Sequence, residues 1–242
     1  MPLKMQGLSL NDSTISENLA VIRDRIACYA QKYGRKDEIH LLAASKGQSI
    51  PKILAAIHAH QYHFGENYLQ EALTKINALS AYPELTWHFI GSLQRNKTRK
   101  VAEHFSWVHS VCRKDIACRL NEQRPAHLPA LNICLEVNIS GENGKTGTTT
   151  LQEVLELANY CSSLPRLHLR GLMTVPQVSK NMPEARTSFH QLFLLWQSLR
   201  QRGFALDTLS MGMSQDFEAA IAEGSTLIRI GTAIFGRRMV NK

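Results

Sequence analysis

The sequence lacks the features that mark secreted, membrane-spanning or metal-binding chains. Its five cysteines are an odd number and none forms a C-x-x-C pair, which excludes a simple disulfide framework or zinc knuckle. The longest apolar runs, such as 192–196, are far shorter than the about 20 residues of a membrane helix. No basic segment leads into an apolar core at the N-terminus, so we expect a cytoplasmic protein. Among ten histidines, neither His58 with His60 nor His60 with His63 is completed to a metal-ligand pattern.

The chain also lacks the Gly-, Ser- or Pro-rich tracts and composition shifts that separate domains. Its 242 residues suffice for one α/β barrel or for two smaller domains. We therefore predict one domain over residues 1–242, with 1–12 as a flexible N-terminus. The stretch GENGKTG at 141–147 is expected to be a long loop after a strand.

Acidic residues are fewer than basic ones, with 20 Asp and Glu against 28 Lys and Arg. The resulting net charge of +8 favours acidic partners, among them nucleic acids, lipid headgroups and phosphorylated small molecules. The densest basic cluster consists of Arg95, Lys97, Arg99 and Lys100. Because few aromatic residues lie between these cations, we interpret the cluster as a solvated helix face.

Short apolar runs alternate with amphipathic segments throughout the chain. The runs predict strands at about 39–45, 61–64, 87–90, 106–110, 131–138, 167–173, 207–211 and 227–230. The segments between them predict helices at about 50–59, 67–79, 94–104, 113–124, 148–163, 183–202 and 215–223, and a first helix ends near Tyr33 before Gly34. Eight strand–helix units of about 30 residues are typical of a (β/α)₈ TIM-type barrel. A doubly wound sheet is the alternative.

Lys46 stands where an apolar run of the buried-strand type, 39–44, comes to its end. Lysine is rarely fully buried, so Lys46 is either a solvated strand end or a reactive amine. In a barrel, the carboxyl ends of the strands carry the active site. Desolvation there, with a nearby cation such as Arg229, would favour the neutral and nucleophilic form of the amine.

The ends of the last two predicted strands indicate a phosphate site. The motifs SMGMS at 210–214 and RIGTAIFG at 229–236 supply glycines, hydroxyls and a cation. Barrels commonly bind phosphate between the loops that follow strands seven and eight. Each motif alone is weak, because glycine is common in turns. Together with Lys46, they favour a ligand that carries both a carbonyl group and a phosphate.

Six motifs resemble, in order and spacing, those of the pyridoxal phosphate homeostasis proteins, the YggS/PROSC family. They are LLAASKGQ, FGENYLQEA, WHFIGSLQRNK, EVNISGENGKTG, LRGLM and LSMGMSQDFEAAIAEGSTLIRIGTAIFGRR. The resemblance runs from about residue 15 to residue 238. It implies a fold type III barrel like the alanine racemase N-terminal domain, with an additional N-terminal helix, that binds pyridoxal 5′-phosphate (PLP). The chain departs from the family at Gly47, usually Thr, and at Ser92, often Pro.

The resemblance also implies roles for single residues in PLP binding. Lys46 is the Schiff-base lysine, and Arg229 is the arginine that faces the pyridine nitrogen. Ser210, with the backbone N–H groups around Gly231 and Thr232, corresponds to the phosphate cup.

Further positions follow from the same motifs. Asn67, His88 and Met173 match positions near the cofactor ring. Lys145 matches a frequent lysine that is either a second, transient PLP acceptor or a solvated loop residue. No residue is assigned a catalytic role and no metal is expected.

Three functions are compatible with these residues. The first is a PLP carrier in which Lys46 holds the cofactor and releases it to apo-enzymes or amines. An arginine beside the pyridine nitrogen keeps that nitrogen neutral and the ring a poor electron sink. The second is a weak amino-acid racemase with Lys46 as base. The third is a nucleic-acid or protein-binding module that uses the helix at 94–104.

The carrier ranks first because racemases of this fold add a tyrosine from a second domain of a partner subunit. This chain ends about ten residues after its eighth predicted strand, so we expect no such domain and a monomer. We expect no membrane partner and no specific nucleic acid.

Overall fold

The structure, a computed structural model, describes residues 10–142, 146–177, 179 and 181–236. Eight parallel strands close into a barrel in which each strand pairs with the next along the chain and the last pairs with the first. The strands are β1 (His40–Ala44), β2 (His63–Glu66), β3 (Thr86–Phe89), β4 (Trp107–Val111), β5 (Leu131–Glu136), β6 (Leu167–Met173), β7 (Thr208–Ser210) and β8 (Leu227–Ile230). The closed barrel confirms the predicted fold class, and each strand overlaps its predicted run.

A helix follows each strand, and one further helix precedes the barrel. In chain order they are α1 (Leu10–Lys32), α2 (Ile50–His58), α3 (Leu69–Ala78), α4 (Thr98–His104), α5 (Lys114–Gln123), α6 (Leu151–Ser162), α7 (Met182–Gln201), α8 (Phe217–Ala222) and α9 (Thr232–Phe235). A short 3₁₀ turn, Arg95–Lys97, leads into α4. The short α9 is absent from the sequence prediction.

Local signals explain where several helices begin. Pro lies in the first turn of α2 and of α7, where its missing N–H has no helical partner to lose. Thr150 caps α6 in a capping box with Glu153, each side chain accepting a hydrogen bond from the other residue's backbone N–H. These features set the start of α2, α6 and α7, and therefore the length of the loop that precedes each of these three helices.

The first helix closes one side of the barrel. Its apolar residues Ile15, Leu19, Ile22 and Ile26 are buried, as their spacing of three and four residues predicts. The helix packs against α2, α8 and α9, which flank the seam between β8 and β1. It begins at Leu10, so residues 10–12 of the predicted flexible N-terminus are helical; the remainder of that segment, 1–9, lies outside the described residues.

The basic cluster predicted to be solvated lies on the 3₁₀ turn and α4. Arg95, Arg99 and Lys100 are exposed and Lys97 is half-buried, in agreement with a solvated face. Lys100 pairs with Glu103 at 2.9 Å. Within the described residues, no helix combines the length and the apolar character that crossing a bilayer requires.

Candidate functional site

A cavity of about 920 Å³ opens at the carboxyl ends of the barrel strands. Its walls come from the loops after β1, β2, β3, β6, β7 and β8, with contributions from α1 and α7. This end of the barrel is where the fold collects functional side chains. Five of the eight predicted cofactor-binding residues line this carboxyl cavity: Lys46, Asn67, Arg229, Gly231 and Thr232.

Lys46 is half-buried two residues after β1, and both of its chain neighbours are fixed by hydrogen bonds. The carbonyl oxygen of Ser45 accepts a hydrogen bond from Lys75 Nζ at 2.7 Å. The N–H of Gly47 donates to Glu71 Oε1 at 2.6 Å. Gly47 has φ +69°, a left-handed conformation that glycine adopts without strain. The backbone on each side of Lys46 is therefore held in place from β2 and α3.

The residues that hold this loop form a buried charged cluster, Glu66–Glu71–Lys75. Lys75 Nζ lies 2.6 Å from Glu66 Oε1 and 2.5 Å from Glu71 Oε1. The Ser45 hydroxyl donates to the same Glu66 oxygen at 2.5 Å. Burial raises the pKa of Glu66, and the charge of Lys75 opposes that rise. Sequence reasoning missed this cluster, because Glu71 and Lys75 are spaced like an ordinary surface pair.

Asn67 directly follows β2 and lines the carboxyl cavity. Its Oδ1 is buried and has no hydrogen-bond partner among the described residues. Buried amide oxygens are normally paired, so this one is suited to a donor on a bound molecule. The loop after β3 comes very close, because a Cβ on Gly91 would lie 2.3 Å from the Asn67 carbonyl oxygen. Glycine at position 91 thus allows the two loops to meet.

Arg229 on β8 supplies a buried positive charge to the cavity wall. Its side chain donates from Nη1 to Ser210 Oγ at 2.6 Å and from Nη2 to the Thr174 carbonyl oxygen at 2.8 Å. Burial lowers the pKa of Arg229 to about 10, which still leaves the guanidinium charged at neutral pH. These two hydrogen bonds, one to β7 and one to the residue that follows β6, fix the plane of the guanidinium.

Three predicted site residues, His88, Met173 and Ser210, are buried but are not among the cavity-lining residues. The Ser210 hydroxyl lies between Arg229 and His109, at 2.8 Å from His109 Nδ1. The imidazole of His88 lies inside the barrel. The serine of the SMGMS motif that lines the cavity is Ser214.

The first helix contributes a cavity residue that sequence reasoning missed. Arg25 of α1 lies on the cavity wall, with its guanidinium carbon 4.6 Å from the centre of the Phe217 ring. Nothing in the local sequence distinguishes this arginine from its solvated neighbours. Lys145, the predicted second acceptor, lies outside the described residues.

Comparison with known proteins places the chain among relatives over nearly its whole length. The family model for the alanine racemase N-terminal domain matches residues 15–239. The pyridoxal phosphate homeostasis protein of Escherichia coli K12 is 49% identical over 236 residues, which cover 96% of this chain and 100% of the relative. That of Pseudomonas aeruginosa is 51% identical over 227 residues, which cover 93% of this chain and 96% of the relative. The structure of PipY from Synechococcus elongatus with PLP bound is 35% identical, with a TM-score of 0.81 over 92% of this chain and 100% of that chain. The chain therefore belongs to the family of pyridoxal phosphate homeostasis proteins.

Proposed function

We propose that this protein binds PLP in the carboxyl cavity and acts in cytoplasmic PLP homeostasis, holding the cofactor on Lys46 and releasing it. The observation that carries the proposal is that Lys46 and Arg229 line one cavity. The chain that places them there is about half identical to pyridoxal phosphate homeostasis proteins. The cavity volume, about 920 Å³, lies within the usual range of small-molecule sites. When bound, PLP supplies an aldehyde that condenses with a primary amine.

The residues of the cavity fit the groups of this cofactor. The amine of Lys46 is the nucleophile for the aldehyde, and the unpaired Oδ1 of Asn67 accepts from a donor on the ring. The phosphate would lie at the β7–β8 end, near Ser214, Gly231 and Thr232. A Cβ on Gly231 would lie 3.1 Å from the Ala44 carbonyl oxygen, so glycine keeps the β8 loop close to the β1 loop that carries Lys46.

The remaining cavity side chains favour a carrier over a catalyst. Among the described residues, the cavity wall includes no tyrosine, histidine or cysteine that would act as a second acid or base. Its two carboxylates have partners, because Asp216 accepts from the Met213 N–H at 2.6 Å and Glu218 pairs with Lys32 at 2.8 Å. The charge of Arg229 disfavours a proton on any nitrogen beside it. The site is therefore suited to hold PLP without transforming an amino acid efficiently.

Release follows from the same geometry. A primary amine that enters the mouth of the cavity would take the place of Lys46 on the aldehyde carbon that PLP supplies, and Lys46 would be released as the free amine when its own bond to that carbon breaks. PLP-requiring apo-enzymes and free amines are the proposed recipients. The clamp on Ser45 and Gly47 keeps the Lys46 backbone in position throughout this exchange.

The experiment that tests the proposal is attachment of PLP to one lysine. Protein loaded with PLP is examined by near-visible absorbance, reduced with borohydride, digested and analysed by mass spectrometry. We expect the pyridoxyl mass on Lys46, its loss in Lys46→Ala, and no change in Lys36→Ala, which removes an exposed lysine. Pyridoxyl mass spread over several lysines, or retained in Lys46→Ala, would contradict the proposal.

A second measurement separates the carrier from a racemase. PLP-loaded protein is incubated with L-alanine and, separately, with an apo-enzyme that requires PLP. We expect the apo-enzyme to gain activity and D-alanine to stay at the level of free PLP. Formation of D-alanine above that level, abolished in Lys46→Ala, would instead identify a weak racemase.

A further inference from the structure

Two buried histidines, His88 and His109, and the half-buried His63 form a continuous hydrogen-bonded chain that ends at Arg229. His63 Nδ1 lies 3.0 Å from His88 Nε2, and His88 Nδ1 lies 2.9 Å from His109 Nε2. His109 Nδ1 lies 2.8 Å from Ser210 Oγ, which accepts from Arg229 at 2.6 Å. We call this series, His63 to Arg229, the histidine chain.

The histidine chain crosses the interior of the barrel. Its members come from β2, β3, β4, β7 and β8, and the link between β4 and β7 joins strands that are not neighbours in the sheet. Such a bond forms only when both side chains point into the barrel. His63 lines a second cavity of about 400 Å³, the amino cavity, at the opposite ends of β1 and β2. The chain therefore connects the two ends of the molecule.

The direction of every hydrogen bond in the chain follows from Arg229. A guanidinium only donates, so Ser210 Oγ must accept from it. Within the described residues, the other partner of that hydroxyl is His109 Nδ1, so the single Ser210 hydrogen is satisfied by donating there. His109 then carries its proton on Nε2 and donates to His88 Nδ1. By the same rule, His88 carries its proton on Nε2 and donates to His63 Nδ1.

The surroundings keep these rings uncharged. Burial lowers the pKa of His109 to about 3, with a further contribution from the charge of Arg229. Burial also lowers the pKa of His88 well below its ordinary value, and the neighbouring histidines act in the same direction. A charged His88 would bring two N–H groups face to face at its link with His109, and a charged His109 would leave the Ser210 hydrogen without its acceptor. Neutral rings, each with one donor and one acceptor nitrogen, satisfy every link.

We infer that the histidine chain is a one-directional relay of neutral Nε2–H imidazoles that orients the Ser210 hydroxyl as acceptor for Arg229, with His109 as the positioning residue. The expected effect on PLP binding rests on the proposed function, whereas the direction of the hydrogen bonds in the histidine chain does not. Loss of His109 leaves the Ser210 hydroxyl without its acceptor, so the hydroxyl is free to rotate and no longer directs a fixed lone pair at Arg229. The guanidinium on the cavity wall then keeps its bond to the Thr174 carbonyl oxygen but loses the second contact that fixes its plane.

The direction of the chain is tested by nitrogen-15 NMR of histidine-labelled protein without PLP. Ring-nitrogen shifts distinguish protonated from unprotonated nitrogens, and single His→Gln variants assign the signals. We expect His88 and His109 as neutral Nε2–H tautomers near neutral pH. An Nδ1–H tautomer or a charged ring at either residue would overturn the inference. Because the NMR sample contains no PLP, its result does not depend on the proposed function. Failure of PLP to attach to Lys46 in the borohydride experiment would contradict the proposed function and leave the direction of the histidine chain unaffected.

The positioning role is tested by titration of PLP into His109→Leu. We expect about tenfold weaker binding, the equivalent of one hydrogen bond to a charged group, and a shifted absorbance band while attachment remains on Lys46. His109→Gln, whose amide supplies a donor and an acceptor, is expected to recover part of the affinity. His40→Leu is the control, since the exposed His40 ring stacks on His63 at 6.3 Å without joining the chain. Unchanged affinity and absorbance in a folded His109→Leu would overturn the role.

Discussion

At the scale of single residues, the chemistry of this site depends on how one lysine is held. Lys46 lies on a loop, and loops are the most mobile parts of a barrel. Here the loop is bound on both sides of the lysine, through Ser45 and Gly47, to the cluster Glu66–Glu71–Lys75. The buried Lys75 thus holds the backbone beside the half-buried Lys46.

Replacing Lys75 is expected to destabilise the protein strongly. Lys75→Met removes the ammonium but leaves the Glu66 carboxylate, which is fully buried, without its partner. We expect a loss of about 3–5 kcal/mol in the free energy of unfolding, measured by urea denaturation. Lys75→Met combined with Glu66→Gln is expected to recover much of this loss, because no unpaired charge then remains buried.

The matched control is Lys100→Met, which breaks the exposed pair with Glu103. The Lys100 side chain is 56% exposed against 4% for Lys75, so we expect a change below about 1 kcal/mol. Equal losses in the two single variants would show that the buried cluster does not carry the stability assigned to it.

Asn67 is expected to reduce stability while it serves binding. Its buried Oδ1 has no partner among the described residues, which costs free energy in the protein without ligand. We expect Asn67→Leu to raise the free energy of unfolding by about 1 kcal/mol and to weaken PLP binding. Urea denaturation without PLP and titration with PLP measure the two effects.

Asn132→Leu is the control for this change. The Asn132 amide accepts from Arg170 at 2.9 Å and donates to the Ser106 carbonyl oxygen at 3.2 Å. Its replacement is expected to lower stability and to leave PLP binding unchanged. A loss of stability in Asn67→Leu would mean that its Oδ1 is satisfied in solution.

At the scale of elements, the sequence predicts nearly the whole barrel. Each strand is a short apolar run and each crossover helix has an amphipathic stripe, so period and length together identify both. The sequence predicts β2 two residues too early, at 61–64, whereas the strand is His63–Glu66. The shift arises because the buried Glu66 reads as a solvated loop residue in sequence.

The site was predicted less completely than the barrel, for a physical reason. Lys46 and Arg229 lie at strand ends, where topology alone brings them to one cavity. The histidine chain instead depends on which rings meet across the barrel interior. One signal was available, since β2, β3 and β4 each contain a histidine, but partners three strands apart, such as His109 and Ser210, follow only from the closed barrel.

The meeting of two loops makes Gly91 critical for the site. A Cβ at this position would lie 2.3 Å from the backbone oxygen of Asn67, so Gly91→Ala must displace one of the loops. We expect a loss of about 1–3 kcal/mol in unfolding free energy together with weaker PLP binding. Denaturation and PLP titration measure both.

Gly203→Ala separates the two effects. Gly203 has φ +93° and open space around it, so alanine there strains only its own backbone. We expect this variant to lose stability while it binds PLP normally. Normal PLP binding by Gly91→Ala would show that the loop contact does not set the position of Asn67.

At the scale of the whole molecule, the barrel interior carries polar groups from one end to the other. The amino cavity contains His63, the carboxyl cavity contains Arg229, and neutral rings join them. An interior of this kind makes stability depend on pH. In the folded protein His88 and His109 stay neutral, whereas in the unfolded chain each binds a proton below its ordinary pKa of 6.5.

The sign follows from proton uptake. Below pH 6.5 the unfolded chain binds more protons at these two histidines than the folded protein, so acid favours unfolding. The contribution is lost progressively as pH falls from 6.5 towards the folded pKa of His109, about 3. Burial raises the pKa of Glu66 and of Asp216, which acts in the opposite direction. The histidine effect is therefore isolated by comparing variants.

We expect His109→Leu to flatten the fall of stability with acid. Each neutral buried histidine contributes about 1.4 kcal/mol per pH unit to the slope of unfolding free energy against pH. We therefore expect this slope to be smaller by about that amount in His109→Leu than in the wild type, between about pH 6 and pH 4.5. Urea denaturation at a series of pH values measures the slope for both proteins. His127→Leu, at an exposed position, is the control. Parallel slopes in the wild type and His109→Leu would mean that His109 is charged in the folded barrel, and the relay of neutral rings would be wrong.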